Sequence, residues 1–365
     1  MIALDPGMVE ALGYAHWRQV TVTIEGGAHD GTILEVEEGT LEVSKEPPVS
    51  RQGSMTIAAP ELATDAEVQA IAEGMVVGGV MLGIDWAVRL LDGREFMIRV
   101  GLLRVESAEW APRTGRIKAT VLDLGQAIMD DRFLLPRTSQ GSTKVAVIGA
   151  LLAESVPGWT LEVEPGVVDS TLYVTTWDED RAAAVTDIAR SLGSWWRWKH
   201  DGGWLLKRVP DGSSPPAWTL TYADAAIEGG GTAGREKTYN AVVATGQLPS
   251  DAPENDPPPY AIAYDSDPAS PTWWDGPFGH KPRFYASPVM TTAAQCLTAA
   301  QSILSEAKGL TRAFKLKTYA HPGLEPGDVI SVTQPDASAP DLLMVDGLTL
   351  SFGDGAMTVQ VRRVG

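Results

Sequence analysis

Cysteine, histidine and positive charge are what this 365-residue chain has least of. Its single cysteine, Cys296, excludes a disulfide framework and every metal site built on several thiolates. It lies in an alanine-rich, apolar helical stretch, so it reads as a buried structural thiol rather than a nucleophile. The five histidines, His16, His29, His200, His280 and His321, contain no i, i+4 pair, and a metal site would need ligands gathered from distant segments. Lys and Arg number 29 against 47 Asp and Glu, a formal net charge of −18, which excludes a protein that grips nucleic acid through clustered basic side chains. No apolar run approaches the roughly 20 residues of a membrane span. The N-terminus has neither a basic start nor an apolar h-region, so a chain that stays soluble until it joins an assembly is expected.

What is present points to a folded, strand-rich protein. Hydrophobic residues at 44% and charged residues at 21% are those of a globular chain, and the length suffices for two or three domains. The totals of 37 Gly, 25 Pro and 12 Trp imply many turns and short strands stapled by large flat side chains. Residues 17–45 alternate: Val20, Val22 and Ile24 share one face while Thr21, Thr23 and Glu25 share the other. Leu34 and Val36 oppose Glu35 and Glu37, and Leu41 and Val43 oppose Glu42 and Ser44, with Gly39 predicted as the turn between them. Further strands are predicted at 80–90, 96–106 and 115–122. The first third is an antiparallel β domain.

The period then changes. Val145, Ile148, Leu151 and Leu152 share one helical face behind Ser142 or Thr143 as N-cap, and Pro157-Gly158 stops that helix. A second helix is predicted over 179–192, capped by Asp178 and ended by Gly193. Trp195 to Lys199 and Trp204 to Arg208 flank Asp201-Gly202-Gly203, a hairpin signal, with one tryptophan face in the core and the other beneath a neighbouring element. After it come strands at 217–222 and 238–245, then an excursion over 248–288 whose many prolines forbid regular sheet or helix. Its aromatics, Tyr260, Tyr264, Trp273, Trp274, Phe278, Phe284 and Tyr285, distinguish it from a flexible linker and predict that it is pinned against a surface. A helix over 292–308, opened by a Thr292/Gln295 capping box, precedes closing strands at 311–319, 328–333, 342–352 and 356–364.

Signals for chemistry are weak. Gly229, Gly231 and Gly234 match G-x-G-x-x-G, but a strand follows where a nucleotide site needs a helix, so they read as a flexible turn. The Asp178/Glu179/Asp180 and Asp265/Asp267 clusters could supply a glycosidase pair, yet the first suits a helix start and the second a turn. No G-x-S-x-G elbow, P-loop or H-E-x-x-H is present. The pairs Trp195/Trp196 and Trp273/Trp274 admit carbohydrate stacking, core packing, or, for the second pair, docking on a partner.

Several phrases, in order, resemble one family. The run from His321 to Val332, with Pro326-Gly327 as turn and Asp328 as its cap, resembles a strand entry near the C-terminus of phage tail hub and baseplate hub (minor tail) proteins. Residues 97–105 resemble a strand of that family's first barrel, 123–133 its transition into an inserted module, 239–246 the strand opening its second barrel, and 275–285 the proline-rich excursion in minor tail proteins of siphophages infecting actinobacteria. The resemblance implies a mainly β (α+β) fold: a first tube-like antiparallel β-barrel over 1–122, completed by 205–232; an inserted α/β module over 123–204; and a second barrel over 233–365 that includes the extended arm 248–288 and the helix 292–308. It also implies a structural, non-enzymatic hub of a viral tail tip, without cofactor or metal. Such a hub is a homotrimeric ring contacting distal tail or tube protein, tape measure, and tip or fibre proteins, and it resides in the virion after assembly in the host cytoplasm. The alternatives are a wall-cleaving hydrolase and a carbohydrate-binding receptor module. In a hub the negative charge would face passing DNA without holding it, with Glu35, Glu37 and Glu42 as lumen candidates, while Trp273, Trp274, Phe278, Phe284 and Tyr285 are candidates for a partner interface.

Overall fold

The computed structural model describes residues 1–12, 16–59, 64–77, 79–111, 113–139, 141–210, 212–221, 225–232, 235–236, 238–248, 253, 256–307, 313–333 and 339–363. The first third contains α1 (Pro6–Leu12), β1 (His16–Glu25), β2 (Ile33–Ser44), β3 (Arg51–Ala58), α2 (Asp65–Val77), β4 (Met81–Leu90), β5 (Glu95–Ala111) and β6 (Arg116–Leu122). The strands pair in the order β1-β4-β5-β6-β3-β2, and β1 also pairs with β2, so the sheet closes into a six-stranded antiparallel barrel. Closure leaves no hydrogen-bonding edge for the inward rows of Val, Ile and Leu to defend.

β2 is one unbroken strand, not the two segments separated by a turn at Gly39 that the alternation suggested. Its first residues, Ile33 to Glu35, pair with β1, and its last, Thr40 to Ser44, pair on that same edge with a strand from the C-terminus. Gly39 marks the hand-over. A Cβ there would lie 2.6 Å from the Ser54 carbonyl oxygen, so only glycine permits this approach.

The middle of the chain builds α3 (Gly125–Asp130), β7 (Arg137–Ser139), α4 (Lys144–Ser155), β8 (Leu161–Val163), β9 (Thr175–Trp177), α5 (Arg181–Ser191), β10 (Ser194–Trp198) and β11 (Trp204–Arg208). Thr143 caps α4 by accepting from Ala146 N, and α5 is capped by Asp180, which accepts from Ala183 N at 2.8 Å, two residues later than Asp178. β10 and β11 form the predicted hairpin, and β8 adds to it in parallel.

The last part comprises β12 (Trp218–Thr221), β13 (Ala225–Thr232), β14 (Ala241–Thr245), β15 (Tyr260–Tyr264), β16 (Pro282–Ala286), α6 (Ala293–Ala307), β17 (Ala313–Tyr319), β18 (Val329–Thr333), β19 (Asp341–Ser351) and β20 (Ala356–Arg363). A second curved sheet runs β12-β18-β19-β20-β17-β13 and is fused to the first barrel by β2–β19. The boundaries expected from sequence shift accordingly. Residues 205–232 do not complete the first barrel: β11 belongs to the insert's hairpin, while β12 and β13 form the two ends of the second sheet. Gly229 and Gly231 lie within β13 rather than in a turn, and Gly234 lies outside the described residues.

The 239–246 segment and the proline-rich arm leave the second barrel altogether. β14 is the centre of a separate three-stranded sheet, β15-β14-β16, so the excursion does hold regular strands. The prolines allow this by position. Pro257, Pro258 and Pro259 precede β15, and Pro282 opens β16 at a sheet edge, where its missing N–H is not needed.

Two hydrophobic cores result. One is shared by both barrel sheets, with Val22, Ile57, Leu82, Ile117, Leu316, Val345 and Val359 buried in it. The other joins the insert to the small sheet and α6: Ile148, Val185, Trp196, Trp198 and Trp204 meet Val242, Ala263, Cys296, Ala300 and Ile303. α6 belongs to this second core because its stripe of small and aliphatic side chains faces β14 and β15.

Candidate assembly surfaces

Where the three parts meet, the chain buries a cluster of charge. Arg51 of β3 and Arg197 of β10 converge on Glu325, in the turn before β18: Arg51 Nη2 donates to Oε1, and Arg197 Nη2 forms an ion pair with Oε2 at 2.6 Å. Arg51 also donates to the Val100 carbonyl at 3.1 Å. Burial alone would raise the Glu325 carboxyl, but Arg51 and Arg197 outweigh it and hold the group at about 2. His200, beside the cluster, is lowered by burial and by Arg51. Next to it the buried Asp123 accepts from Ser50 N, Ser50 Oγ, Arg51 N and Gly125 N at 2.7–2.8 Å, while burial pushes its carboxyl up. The joint therefore fixes first barrel, insert and second sheet relative to one another. Sequence reading placed Asp328 and the Pro326-Gly327 turn but missed Glu325, whose only signal is a carboxylate amid apolar neighbours.

The outward rows of the fused sheet form a polar face six strands wide. Thr120, Ser54, Thr40 and Ser351 stand side by side across β6, β3, β2 and β19, and Gln52, Glu42, Thr349, Thr358 and Lys317 make the next row from β3 to β17. Glu35, Glu37 and Glu42 all lie exposed on β2 and belong to this face. They do not make it acidic. Arg116 pairs with Glu37 at 2.6 Å, Gln52 donates to Glu42 at 2.9 Å, and Lys118, Lys315 and Lys317 are exposed on flanking strands. Four glutamates, counting Glu38, thus share the face with four basic side chains.

The arm's aromatics divide. Phe278 is buried with the Arg235 guanidinium 4.4 Å above its ring, and the Tyr285 hydroxyl donates to Asp187 at 2.9 Å; these two hold the arm to the body instead of facing outward. Burial, with Asp187 adjacent, pushes the Tyr285 hydroxyl up. Trp274 stacks on His280 at 3.9 Å and Trp273 is half-buried, while Phe284 is 75% exposed. Tyr260 and Tyr264, expected with the other aromatics to be pinned against a surface, are instead 61% and 54% exposed, and with Ile262 at 49%, which sequence reading missed, they share the face of Phe284 on the small sheet. Their alternation with Ala261 and Ala263 is the signal that could have found them.

Asp180, Asp265 and Cys296, weighed for chemistry, have structural partners. Asp180 caps α5, and Asp265 accepts from Ser270 Oγ at 2.5 Å and Thr272 Oγ1 at 2.7 Å within its turn. Cys296 is buried against the Pro259 carbonyl, and burial raises its thiol. Among the described residues no group of three or more His, Cys, Asp or Glu is placed to hold a metal, and no helix is long and apolar enough to cross a membrane.

No protein-family model and no curated protein matches the chain. Solved structures do. A tail protein from Neisseria meningitidis MC58 superposes with a TM-score of 0.62 at 17% identity, over 94% of this chain and 96% of its own. A 43 kDa tail protein of prophage MuSo2 from Shewanella oneidensis gives 0.62 at 13% identity, over 95% and 98%. A prophage tail protein from Listeria monocytogenes EGD-e gives 0.54 at 10% identity, over 94% of each chain. A closed β-barrel fused to a second curved sheet and carrying an inserted α/β core is thus a fold this chain shares, nearly end to end, with phage tail proteins.

Proposed function

We propose that the chain is a structural, non-catalytic hub of a phage tail tip or baseplate, which forms a homotrimeric ring that joins the tail tube to the tip and surrounds the DNA path. The observation that carries this reading is the fused sheet, whose polar face crosses from one barrel to the next without a break. Three copies would line a channel with hydroxyls, amides and balanced charge, a wall that offers phosphate no basic cluster to bind. Glu35, Glu37 and Glu42 take part in that wall as members of a mixed surface. Trp273, Trp274 and Phe284 serve contacts with neighbouring tail proteins, such as the tube or distal tail protein, tape measure, and tip or fibre. The chain resides in the virion tail tip of a siphophage of actinobacteria after assembly in the host cytoplasm, and needs no cofactor.

Solution mass and negative-stain imaging test this directly: a threefold ring is expected, and a chain that stays monomeric alone and with its tail neighbours overturns it. Replacing Trp273 and Trp274 together by alanine should abolish particle assembly. Intact particles that fail to adsorb would instead indicate a receptor-binding module, and wall-degrading activity lost on one carboxylate substitution would indicate a hydrolase.

A further inference from the structure

Unlike the closed first barrel, the small sheet β15-β14-β16 has two edges that no strand pairs among the described residues. Gly246 N donates to the Pro259 carbonyl and Asp265 N to the Asn240 carbonyl, so alternate residues of β15 turn their main chain toward β14, and Tyr260, Ile262 and Tyr264 turn theirs outward. On the other side Asn240 N donates to the Lys281 carbonyl and Ser287 N to the Thr245 carbonyl, which leaves Pro282, Phe284 and Ala286 outward on β16. β15 carries none of the devices that blunt an edge: it has no lysine, no proline and no recorded bulge.

The two edges match each other. Ala241 stands opposite both Tyr264 and Pro282, Val243 opposite both Ile262 and Phe284, and Thr245 opposite both Tyr260 and Ala286. β15 is antiparallel to β14 and β16 parallel to it, so β15 and β16 run in opposite directions. When a second copy is placed beside the first with its strands pointing the same way, β16 of one adjoins β15 of the next as an antiparallel pair. The outward-facing residues then coincide in register, Ile262 opposite Phe284 and Tyr264 opposite Pro282, which gives up one donor at the end of the ladder, and the exposed side chains fall on one face.

Charge matches as well. β15 runs into Asp265 and Asp267, while Lys281 and Arg283 lie at the start of β16, and both lie at the Ala241 end of the sheet. Arg283 shares the row of Val242 and Ala263, on the side that faces α6. On that side, beside β15, is a groove of about 390 Å³ lined by Ala263, Asp265, Asp267, Leu297, Gln301 and Leu304. Arg283 of an adjoining copy would project into its acidic end.

We infer that copies of this chain join head to tail by addition of β16 of one copy to the β15 edge of the next, with Ile262 opposite Phe284 and Arg283 received by the Asp265/Asp267 groove. Such a contact uses two different surfaces and closes into a ring when its rotation permits. The inference deepens the ring reading above and rests on it for closure.

Cysteine substitution at exposed positions tests the contact, and the buried Cys296 does not compete. Hydrogen-bonded antiparallel partners stand about 5.5 Å apart at Cα, within disulfide reach. A mixture of Ile262→Cys and Phe284→Cys proteins should cross-link under mild oxidation into a pair holding one of each, while either alone stays uncrosslinked. The Ile262→Cys/Phe284→Cys double variant should give a covalent ring whose mass counts its copies. Absence of cross-linking in a mixture with native far-UV circular dichroism, or a covalent homodimer of Ile262→Cys alone, overturns the inference. Arg283→Glu should weaken association measured by sedimentation at least about tenfold, and Asp267→Lys on the same chain should restore it. Particles that still incorporate the chain despite failed cross-linking would retain the tail role and remove only this interface.

Discussion

The two cores solve opposite problems. The barrel core is enclosed by a sheet that closes on itself at β1 and β2 and passes on through β2 to β19. The core of insert and small sheet is covered on one side only: β14, β15 and β16 bury Val242, Ala244 and Ala263 but leave Tyr260, Ile262, Tyr264 and Phe284 in solvent. The first arrangement makes a scaffold with a polar exterior, and the second leaves apolar surface and open edges for a partner to cover. What couples the two is the buried Arg51–Glu325–Arg197 cluster.

Breaking that coupling should have the largest effect. Glu325→Gln leaves two buried guanidinium groups without a counter-charge, and a loss of about 3–5 kcal/mol is expected. The urea transition should also split, since the barrels and the insert no longer share a joint; a single transition with an unchanged midpoint would dissociate the cluster from stability. Acid should act in the same direction. Glu325 is held at about 2 against an ordinary 4.5, so its contribution is full above 4.5 and is lost as the pH falls toward 2. His321 is lowered by burial from 6.5 to about 4, so it costs nothing above 6.5 and weakens the folded state increasingly as the pH falls toward 4. Stability should therefore decline below about pH 6.5 in two stages, and Glu325→Gln should remove the lower one.

A second link is Trp198, whose indole N–H donates to the Leu102 carbonyl of β5 at 2.7 Å and whose ring meets Trp204 edge-on at 5.0 Å. Trp198→Phe strands that carbonyl and opens a void, at about 2–3 kcal/mol. The loss should fall mainly on the second core, as amide exchange in β10 and β11 would show.

Lys144 sharpens the contrast from the other direction. It is fully buried in the insert, with Nζ left without a recorded hydrogen bond, and burial lowers it from 10.5 to about 8. A base depressed by folding weakens the folded state fully below pH 8, and progressively less as the pH rises to 10.5. Lys144→Met should therefore stabilise the chain by about 2 kcal/mol at pH 7, with a smaller gain at pH 10, measured by urea midpoints. Equal midpoints at pH 7 would mean that the amine is solvated in the folded protein.

How much of this was legible differs between the cores. Alternation in residues 17–25 and 34–43 has period two, and that local signal survives in β1 and β2. α2 escaped notice although Thr64 and Glu67 form a capping box, with Thr64 N on Glu67 at 2.7 Å, and Val68, Ile71, Ala72 and Met75 follow it at helical spacing as its buried stripe. Partnership was the harder matter. Nothing local in β12 or β13 says which sheet takes them, because that choice rests on contacts more than 80 residues away, such as Trp218 beside Ile330, and β14 takes partners 15–41 residues away across the proline-rich excursion. Proline misled for a related reason: its effect depends on whether it occupies an interior or an edge position, and edges exist only after the sheet is assembled. The buried joint was least visible, because Arg51, Arg197 and Glu325 are ordinary surface residue types until three distant segments enclose them.

The smallest effect concerns the polar face. Glu35, Glu37 and Glu42 are exposed, and the Arg116–Glu37 pair is half in solvent, so replacing all three with glutamine should shift the urea midpoint by no more than about 0.5 kcal/mol equivalent per site. That near-neutrality is informative, because residues that stability does not require are free to be set by what passes along the face. With the three carboxylates removed, Arg116, Lys118, Lys315 and Lys317 would be left in excess, and the face should begin to retain duplex DNA at low salt where the unaltered protein does not. Salt-dependent retention by the triple variant alone would show that these glutamates balance the wall against phosphate. A large loss of stability without DNA retention would instead make them part of the barrel's own architecture.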